Sequence, residues 1–406
     1  MQKQINNAPF VFSLREFSGA LADLGVMLPL ILALISLNGM DATAVFVGIG
    51  IAYILVAFVY RLPIPVQPLK SVSALAIALG LPPVIIVTGA IWNAVTFLGM
   101  SFGNLDKWMM KVFPKPVVRG IQLGLSWLLF KSAHKLFSQP SSPWQGSLLI
   151  FNQAIPWGWI LIGGAAVFLL FFLFWKRDFA ALGVVIFGIG ISTFYLGLPP
   201  LSLELSFPKL LPLTPTWGQL WQGLILLAIP QIPLSLGNSI CATADAAKTY
   251  FGDHASHVSE RKLMFTMGTI DAFTALIGGI PLCHGSGGLT AHYRLGARTG
   301  GAPLMLGGIF LTLGLLGNQA STQIFNLIPF PVLGVLLVYI GFQHMLLALD
   351  LRGQRDWISA LLVLTLAIAT SNLAVGFISG SLFYHLWGLL DGLLVPGDRL
   401  TEIGEV

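Results

Sequence analysis

Two short polar stretches interrupt long apolar segments, and both carry the residue types of an anion-binding site. The first reads "PVQPLKS" and contributes Gln67, Lys70 and Ser71. Pro68 suits the first position of a helix, which would put Lys70 in the first turn. A cation there opposes the helix dipole by about 0.3–1 kcal/mol, and burial at membrane depth adds about 2.5–3.5 kcal/mol. An anion bound at this helix start would remove both penalties, because the backbone amides already favour negative charge.

The second stretch reads "PLCHGSGGLTAH" and begins at Pro281. Its glycines let backbone amides come close to a ligand, and its serine adds a hydroxyl group. The candidate ligand-binding residues here are His284, Gly285, Ser286, Gly287 and Gly288. If a second helix starts at this point, two positive helix ends face one ligand, an arrangement suited to a tetrahedral oxyanion.

Other chemistry at the second stretch is less well supported. Ser286 in "HGSGG" resembles a nucleophile beside an oxyanion hole, but no base is paired with it, so no catalytic residue is predicted. Cys283 and His284 are only two metal ligands, too few for a closed site. We therefore predict neither a metal nor a cofactor, and we interpret His284 as a capping or gating residue.

A third polar region, "AIPQIPLSLGNSI", adds neutral hydrogen-bonding groups. Gln231, Ser235 and Asn238 recur at spacings of four and three, so they share one helical face. A polar face within a membrane points toward the bundle interior. Gln231 and Asn238 are therefore candidate anion ligands, and hydrogen bonding between helices, worth about 1 kcal/mol per contact, is an equal alternative.

Asp23 and Asp271 are carboxylates within apolar segments, a placement typical of proton relays and ion coupling. Two other interpretations stay open for Lys70. It forms an ion pair with one of these carboxylates, or its side chain snorkels toward the membrane surface. Together with His284, the carboxylates make proton symport one coupling mode, and sodium coupling stays open. The chain has no GxxxxGK[ST] motif, so direct drive by ATP is not expected.

The chain that positions these residues has the composition of a polytopic membrane protein. Of its 406 residues, 56% are hydrophobic and 9% are charged, whereas soluble domains carry about 25% charged residues. Apolar runs of about 20 residues without period-two alternation predict an all-α protein and not a barrel. The net charge is +5, but the basic residues lie mainly in short loops. They indicate cytoplasmic termini, not nucleic-acid binding.

Fourteen apolar segments are predicted. They are 14–37, 42–60, 68–80, 83–101, 115–137, 157–175, 179–197, 217–246, 261–279, 285–297, 302–318, 329–349, 354–371 and 373–391. The third and tenth are too short to cross a bilayer alone, so we predict broken helices there. The two cysteines lie beside apolar segments and imply no disulfide framework.

An internal repeat relates the two halves of the chain, 1–197 and 198–406. Pro65 and Pro281 begin the two polar stretches 216 residues apart, and a second pair of landmarks, "KPVVRG" and "FPVLGV", repeats at an offset of 215. Each half holds seven segments, and because seven is odd the halves must be inverted in the membrane. Interrupted segments at matching positions of inverted repeats point to a transport site.

Four stretches make the chain resemble the molybdate transporter family, which is related to the SulP sulfate permeases and more distantly to the nucleobase permeases. They read "SGALADLGVMLPL", "PIPVQPLKSVSALAIA", "QIPLSLGNSI" and "GGIPLCHGSGGLTAHYRLGARTG". One departure is "ADLG", where the family tends to read "GDLG". A C-terminal STAS domain, usual in sulfate permeases and absent from the molybdate branch, is not expected in this chain.

The resemblance implies a core domain, 14–101 and 217–318, that moves against a gate domain, 115–197 and 329–391. Substrate would bind between half-helices 3 and 10. The predicted function is a secondary active transporter, not an enzyme, that imports molybdate, with tungstate as an expected mimic. A sulfate or general oxyanion transporter and an anion channel of the same fold are the alternatives.

The expected location is the cell (inner) membrane, with both termini cytoplasmic, so the lipid bilayer is the surrounding partner. Oligomeric state cannot be read from the residues, and analogy with the family adds a homodimer as an option.

Overall fold

The computed structural model is mostly helical, which confirms the all-α prediction. The described residues are 8–21, 24–102, 114–138, 144, 146–150, 153–175, 180–198, 204–317, 323, 327–370 and 372–394. The helices are α1 (Leu14–Leu21), α2 (Leu24–Asn38), α3 (Ala42–Tyr60), α4 (Lys70–Leu79), α5 (Pro83–Ser101), α6 (Lys115–Ser138), α7 (Trp157–Trp175), α8 (Ala180–Leu196), α9 (Trp217–Gly223), α10 (Ile229–Leu234), α11 (Ala242–Phe251), α12 (Glu260–Leu276), α13 (Ser286–Leu295), α14 (Gly301–Leu315), α15 (Phe330–Leu346), α16 (Gln354–Thr370) and α17 (Leu373–Leu394). The strands are β1 (Gln67–Pro68), β2 (Ser147–Ile150), β3 (Gln153–Pro156) and β4 (Leu282–Cys283).

Each predicted segment overlaps at least one of these helices, and α3, α5 and α7 have the predicted bounds. Among the described residues, six continuous helical stretches are long and apolar enough to cross a membrane. Local chemistry explains the ends of α3. Asp41 caps its start by accepting the Ala44 N–H, and Arg61 closes it in the left-handed conformation, with φ of 52°.

Two short crossing strands fix where the half-helices begin. β1 and β4 pair in an antiparallel register, with Pro68 opposite Leu282. Helix α4 therefore begins at Lys70, after Leu69 at the N-cap. This corrects the predicted helical position of Pro68, whose backbone belongs to the strand. On the other side, α13 begins at Ser286, shortly after β4.

The eighth segment runs from α9 to α11 and contains two π-helical stretches. They are Leu224–Ala228 and Ser235–Cys241, separated by α10 and its two prolines. Proline has no N–H and interrupts α-type bonding to the preceding turn. Such π-bulges are frequent at functional sites. The predicted end near residue 246 is too early, because the helix continues to Phe251, where Gly252 takes a positive φ of 54°.

Contacts between the two halves form a reciprocal set. Helix α3 packs on α14 and α5 packs on α12, which joins the second segment to the eleventh and the fourth to the ninth. Helix α6 packs on α15, and β1 pairs with β4. Replacing each segment by its counterpart in the other half turns the second–eleventh contact into the ninth–fourth contact. The same exchange turns the α6–α15 contact and the β1–β4 pair into themselves. A two-fold relationship between the halves requires this pattern, which supports the repeat prediction.

Glycines permit both of the reciprocal helix crossings. A Cβ on Gly50 of α3 would lie 2.6 Å from the Leu311 nitrogen, and one on Gly307 of α14 would lie 2.9 Å from the Gly50 carbonyl oxygen. Between α12 and α5, a Cβ on Gly268 would lie 2.8 Å from the Leu98 nitrogen. Small residues let helix backbones approach closely in membranes. These crossings hold the elements around the half-helices in place.

Candidate functional site

A cavity of about 540 Å³ lies where α4 and the eighth segment meet α6 and α15. From α4, β4 and the eighth segment, its wall includes Lys70, Ser71, Gln231, Asn238 and Cys283. From α6 and the end of α15, its wall includes Lys115, Arg119, Gln122 and His344. Carboxylates are absent from the lining formed by described residues, so the permanently charged groups in the wall are cations.

Lys70 and Ser71 are the first two residues of α4. The N-cap residue, Leu69, offers no side-chain hydrogen bond to the helix start. The Ser71 side chain is fully buried, and its hydroxyl has no hydrogen-bond partner among the described residues. Leaving a buried polar group unpaired costs about 1–3 kcal/mol, which an acceptor oxygen of a ligand would offset. The predicted anion site at this helix start thus has a donor in place.

Gln231 connects the eighth segment to α4. Its Oε1 accepts the backbone N–H of Ser71 over 3.2 Å, and its Nε2 donates to Ser235 Oγ over 2.9 Å. The second bond joins two residues of the predicted polar face. The structure therefore shows Gln231 bonding between segments while it also lines the cavity, so its two predicted roles are compatible.

Lys70 is half-buried and forms no ion pair with the residues that the structure describes. Asp271 is fully buried, and its Oδ1 accepts the backbone N–H of Leu282 over 2.7 Å. This contradicts the alternative in which Lys70 pairs with Asp271. Asp23, the other predicted partner and coupling candidate, lies outside the described residues. Asp271 does not line the cavity and instead holds β4, the strand that precedes α13.

Asn238 brings the start of α13 to the cavity wall. Ser286 Oγ donates to Asn238 Oδ1 over 2.9 Å, and Asn238 itself lines the cavity. The N-cap residue, Gly285, gives α13 no side-chain cap. Gly287 is exposed and Gly288 is buried. None of these residues is in the described lining. The start of α13 is therefore connected to the cavity wall through the Ser286–Asn238 hydrogen bond and does not form the wall itself.

His284 and Gln67 are buried outside the cavity lining. His284 Nε2 lies 2.9 Å from Thr266 Oγ1, and its Nδ1 lies 3.1 Å from the Pro65 carbonyl oxygen. A carbonyl only accepts, so Nδ1 carries the hydrogen and a neutral ring accepts the Thr266 hydroxyl at Nε2. Gln67 lies in β1 and is 2% exposed. The structure does not bring these two predicted ligands to the cavity.

The wall formed by α6 was missed in the sequence interpretation. Arg119 donates to both carboxylate oxygens of Asp350, over 2.9 Å from Nε and 2.5 Å from Nη2, and Lys115 Nζ lies 2.9 Å from the same carboxylate. Arg119 also donates to Gln122 over 3.0 Å. From the sequence, Lys115 and Arg119 were interpreted only as indicators of membrane orientation. The spacing of three between Arg119 and Gln122 was the available signal for a shared polar face.

Comparison with known proteins gives the family. A sequence profile described as "Molybdate transporter of MFS superfamily" matches residues 15–129 and 223–343, more than half of the chain. The chain belongs to the molybdate transporter family. The matched ranges of this molybdate transporter family member contain Lys70, Gln231 and Asn238, and His344 follows directly after the second range.

Curated relatives of this family member are membrane transporters, not enzymes. It is 28% identical to "Molybdate transporter 1" of Arabidopsis thaliana, over 98% of this chain and 94% of the relative. It is 26% identical to "Molybdate transporter 2" of the same plant, over 91% and 86%. It is also 26% identical to "Molybdate transporter 1" of Chlamydomonas reinhardtii, over 90% and 89%.

Solved structures show the fold of the molybdate transporter family member. SLC26A9 superposes with a TM-score of 0.66 at 14% identity, over 93% of this chain. This chain spans 65% of the length of SLC26A9. The transmembrane domain of the cyanobacterial bicarbonate transporter BicA superposes with a TM-score of 0.61 at 17% identity, over 94% of this chain and 97% of that domain. The fold is thus that of SLC26-type anion transporters, as the resemblance to sulfate permeases implies.

Proposed function

We propose that this chain is a secondary active transporter that imports molybdate, bound in the cavity at the start of α4. The observation that carries the proposal is the buried hydroxyl of Ser71, which has no hydrogen-bond partner in the described part of the chain and lies with the Lys70 cation in that cavity. A tetrahedral oxyanion presents acceptor oxygens to the hydroxyl, the ammonium group and the helix start together. The choice of molybdate follows the names of the curated relatives.

The charge of the cavity suits a dianion. Lys70, Lys115 and Arg119 line it, while Asp350 pairs with only the last two and so leaves a net positive wall. Opposite unit charges about 4 Å apart attract by about 4 kcal/mol at an effective dielectric constant near 20. The Coulombic attraction therefore favours oxyanions over neutral solutes.

The two sides of the cavity belong to the two proposed domains. Lys70, Ser71 and Asn238 lie in the core ranges 14–101 and 217–318, whereas Arg119 and His344 lie in the gate ranges 115–197 and 329–391. A site between the repeats, at broken helices, is the arrangement that alternating access requires. Movement of the core against the gate would then carry the bound anion across the membrane.

The proposed orientation makes this an inward-facing state. By the positive-inside rule we assign Lys115 and Arg119, near the start of α6, to the cytoplasmic side. The Lys115 side chain is 60% exposed at the cavity. The cavity would thus open to the cytoplasm, with both termini on that side of the cell (inner) membrane.

Selectivity and mode of transport separate the remaining alternatives. Sulfate and tungstate share the shape and charge of molybdate, so Lys70 and Ser71 alone do not distinguish them. A general oxyanion transporter and an anion channel of the same fold are therefore the competing functions. A homodimer is compatible with this function, because the cavity is formed within one chain.

Uptake of radioactive molybdate into proteoliposomes tests the proposal. We expect saturable uptake that a tenfold excess of sulfate leaves largely unchanged. Lys70→Gln should reduce uptake at least tenfold, whereas Lys131→Gln, the same change at an exposed position of α6, should leave it intact. Equal competition by sulfate would indicate a general oxyanion transporter, and flux that does not saturate would indicate a channel. Absence of molybdate uptake would refute the proposed function.

A further inference from the structure

His344 is a buried imidazole in the wall of the same cavity. It lies near the end of α15, is 9% exposed and lines the cavity. Its Nδ1 is buried and has no hydrogen-bond partner among the described residues. A buried polar atom without a partner is costly. Unlike His284, whose two ring nitrogens are both bonded, His344 keeps hydrogen-bonding capacity for a ligand.

The permanent charges that line the cavity with His344 are cations. Lys70 of α4 lines the cavity from the core side. Helix α6 contributes Lys115 and Arg119, which share the carboxylate of Asp350 in the turn that follows α15. Cys283 of β4 lines the same cavity. Of the other helices packed on α15, α2 and α7 contain no titratable side chain, and α8 contains only Tyr195.

We propose that His344 takes up a proton when the oxyanion binds and releases it when the anion leaves, so that it couples proton movement to transport. This inference rests on the proposed function. In the empty cavity, burial and the neighbouring cations favour the neutral ring. A bound dianion reverses the local field and favours the imidazolium form, whose two N–H groups both donate. The proton is taken from solvent on the side where the anion enters, and it is released to solvent on the side where the anion leaves.

The position of His344 on the gate gives this protonation a structural consequence. Lys70 is carried by the core, so an anion held by both residues bridges the two domains. A protonated but empty site would repel Lys70, which opposes movement of a proton without the anion. By linkage, the factor by which the anion strengthens proton binding is also the factor by which the proton strengthens anion binding.

Proton uptake during molybdate binding tests the inference. Purified protein in detergent is titrated with molybdate in weakly buffered solution, between about pH 6 and about pH 8, and the protons taken up per bound anion are measured. We expect uptake of up to about one proton, and an affinity that weakens by at most about tenfold per pH unit as pH rises. His344→Gln should bind molybdate without proton uptake. His134→Gln, at an exposed position of α6, should behave as the unaltered protein.

A second variant keeps the test informative if His344→Gln fails to bind molybdate. His344→Arg carries a fixed charge, because a guanidinium group stays protonated in proteins, and it should bind molybdate with no proton uptake and little pH dependence. Binding by the unaltered protein without proton uptake would overturn the inference while leaving the proposed function standing. Proton uptake that persists in either variant would also overturn it, because another group would then titrate. Failure of the unaltered protein to bind molybdate would instead refute the proposed function.

Discussion

The backbone N–H of Ser71 donates to Gln231 Oε1 over 3.2 Å, and this bond ties the start of α4 to the eighth segment. The half-helix that carries Lys70 is therefore positioned by a residue from the other half of the chain. Gln231 also lines the cavity. Its replacement by a charged residue that keeps the acceptor oxygen for Ser71 would therefore affect the ligand and preserve this bond.

Gln231→Glu should weaken molybdate binding at least tenfold. The carboxylate keeps an oxygen for the Ser71 N–H but brings a negative charge to the cavity, and a tenfold loss corresponds to about 1.4 kcal/mol. Gln219→Glu is the matched control, because Gln219 lies in α9 at the exposed start of the same segment and glutamate preserves its capping box with Thr216. Calorimetric titration measures both variants. Equal affinities in the two would place the anion away from Gln231.

Asp271→Asn should retain molybdate binding and transport within a few-fold. The asparagine Oδ1 still accepts the Leu282 N–H, the hydrogen bond through which Asp271 holds β4. Asp271→Ala removes this acceptor and should lower the free energy of unfolding by about 1–3 kcal/mol. Binding, uptake and thermal unfolding are compared for the two variants. Should Asp271→Asn bind molybdate normally but lose its response to a pH gradient, Asp271 would be a coupling residue after all.

Thr266→Val should destabilise the protein and leave molybdate affinity unchanged. The Thr266 hydroxyl lies 2.7 Å from the Tyr60 hydroxyl and 2.9 Å from His284 Nε2, so its loss leaves two buried groups unpaired. We expect a cost of about 1–3 kcal/mol, measured by thermal unfolding in detergent. Thr269→Val on the same helix is the control, since that hydroxyl bonds only the Phe265 carbonyl. A marked loss of affinity in Thr266→Val alone would restore His284 to the binding site.

Molybdate should protect Cys283 from thiol-reactive reagents. Cys283 is 6% exposed and lines the cavity, so an anion beside Lys70 restricts access to its thiol. The labelling rate is measured in a Cys241→Ser background, which removes the other cysteine of the chain. We expect saturating molybdate to slow labelling several-fold, and Lys70→Gln to abolish that protection. Labelling that is indifferent to molybdate would mean that the anion does not occupy this cavity.

Much of the helical layout could be predicted from sequence because membrane helices are recognisable from the length of their apolar runs and from residues at their ends. The bounds of α3 and α5 match the predicted segments, and the short helices α4 and α13 lie within the third and tenth predicted segments. The start of α4 was misplaced by two residues. Strand pairing of Pro68 with Leu282 joins residues more than 200 positions apart, and no local pattern reports such a partner.

The candidate site was only partly predictable for the same reason. Lys70, Ser71, Gln231 and Asn238 were found because polar residues in apolar segments are conspicuous, and all four line the cavity. His284 was also conspicuous, but its role depends on Thr266, a partner that sequence does not indicate. His344 was overlooked because it lies in the last turn of a largely apolar helix and belongs to no motif. Its importance appears only when the fold places it in the cavity wall together with Lys70.

Calorimetric titration of molybdate into purified protein tests whether an oxyanion binds beside Lys70. The unaltered protein, Lys70→Gln and the exposed control Lys131→Gln would be measured together, with and without excess sulfate. We predict saturable binding that survives sulfate and Lys131→Gln but weakens at least tenfold in a folded Lys70→Gln protein. Unchanged affinity in Lys70→Gln would mean that the anion binds elsewhere in the protein.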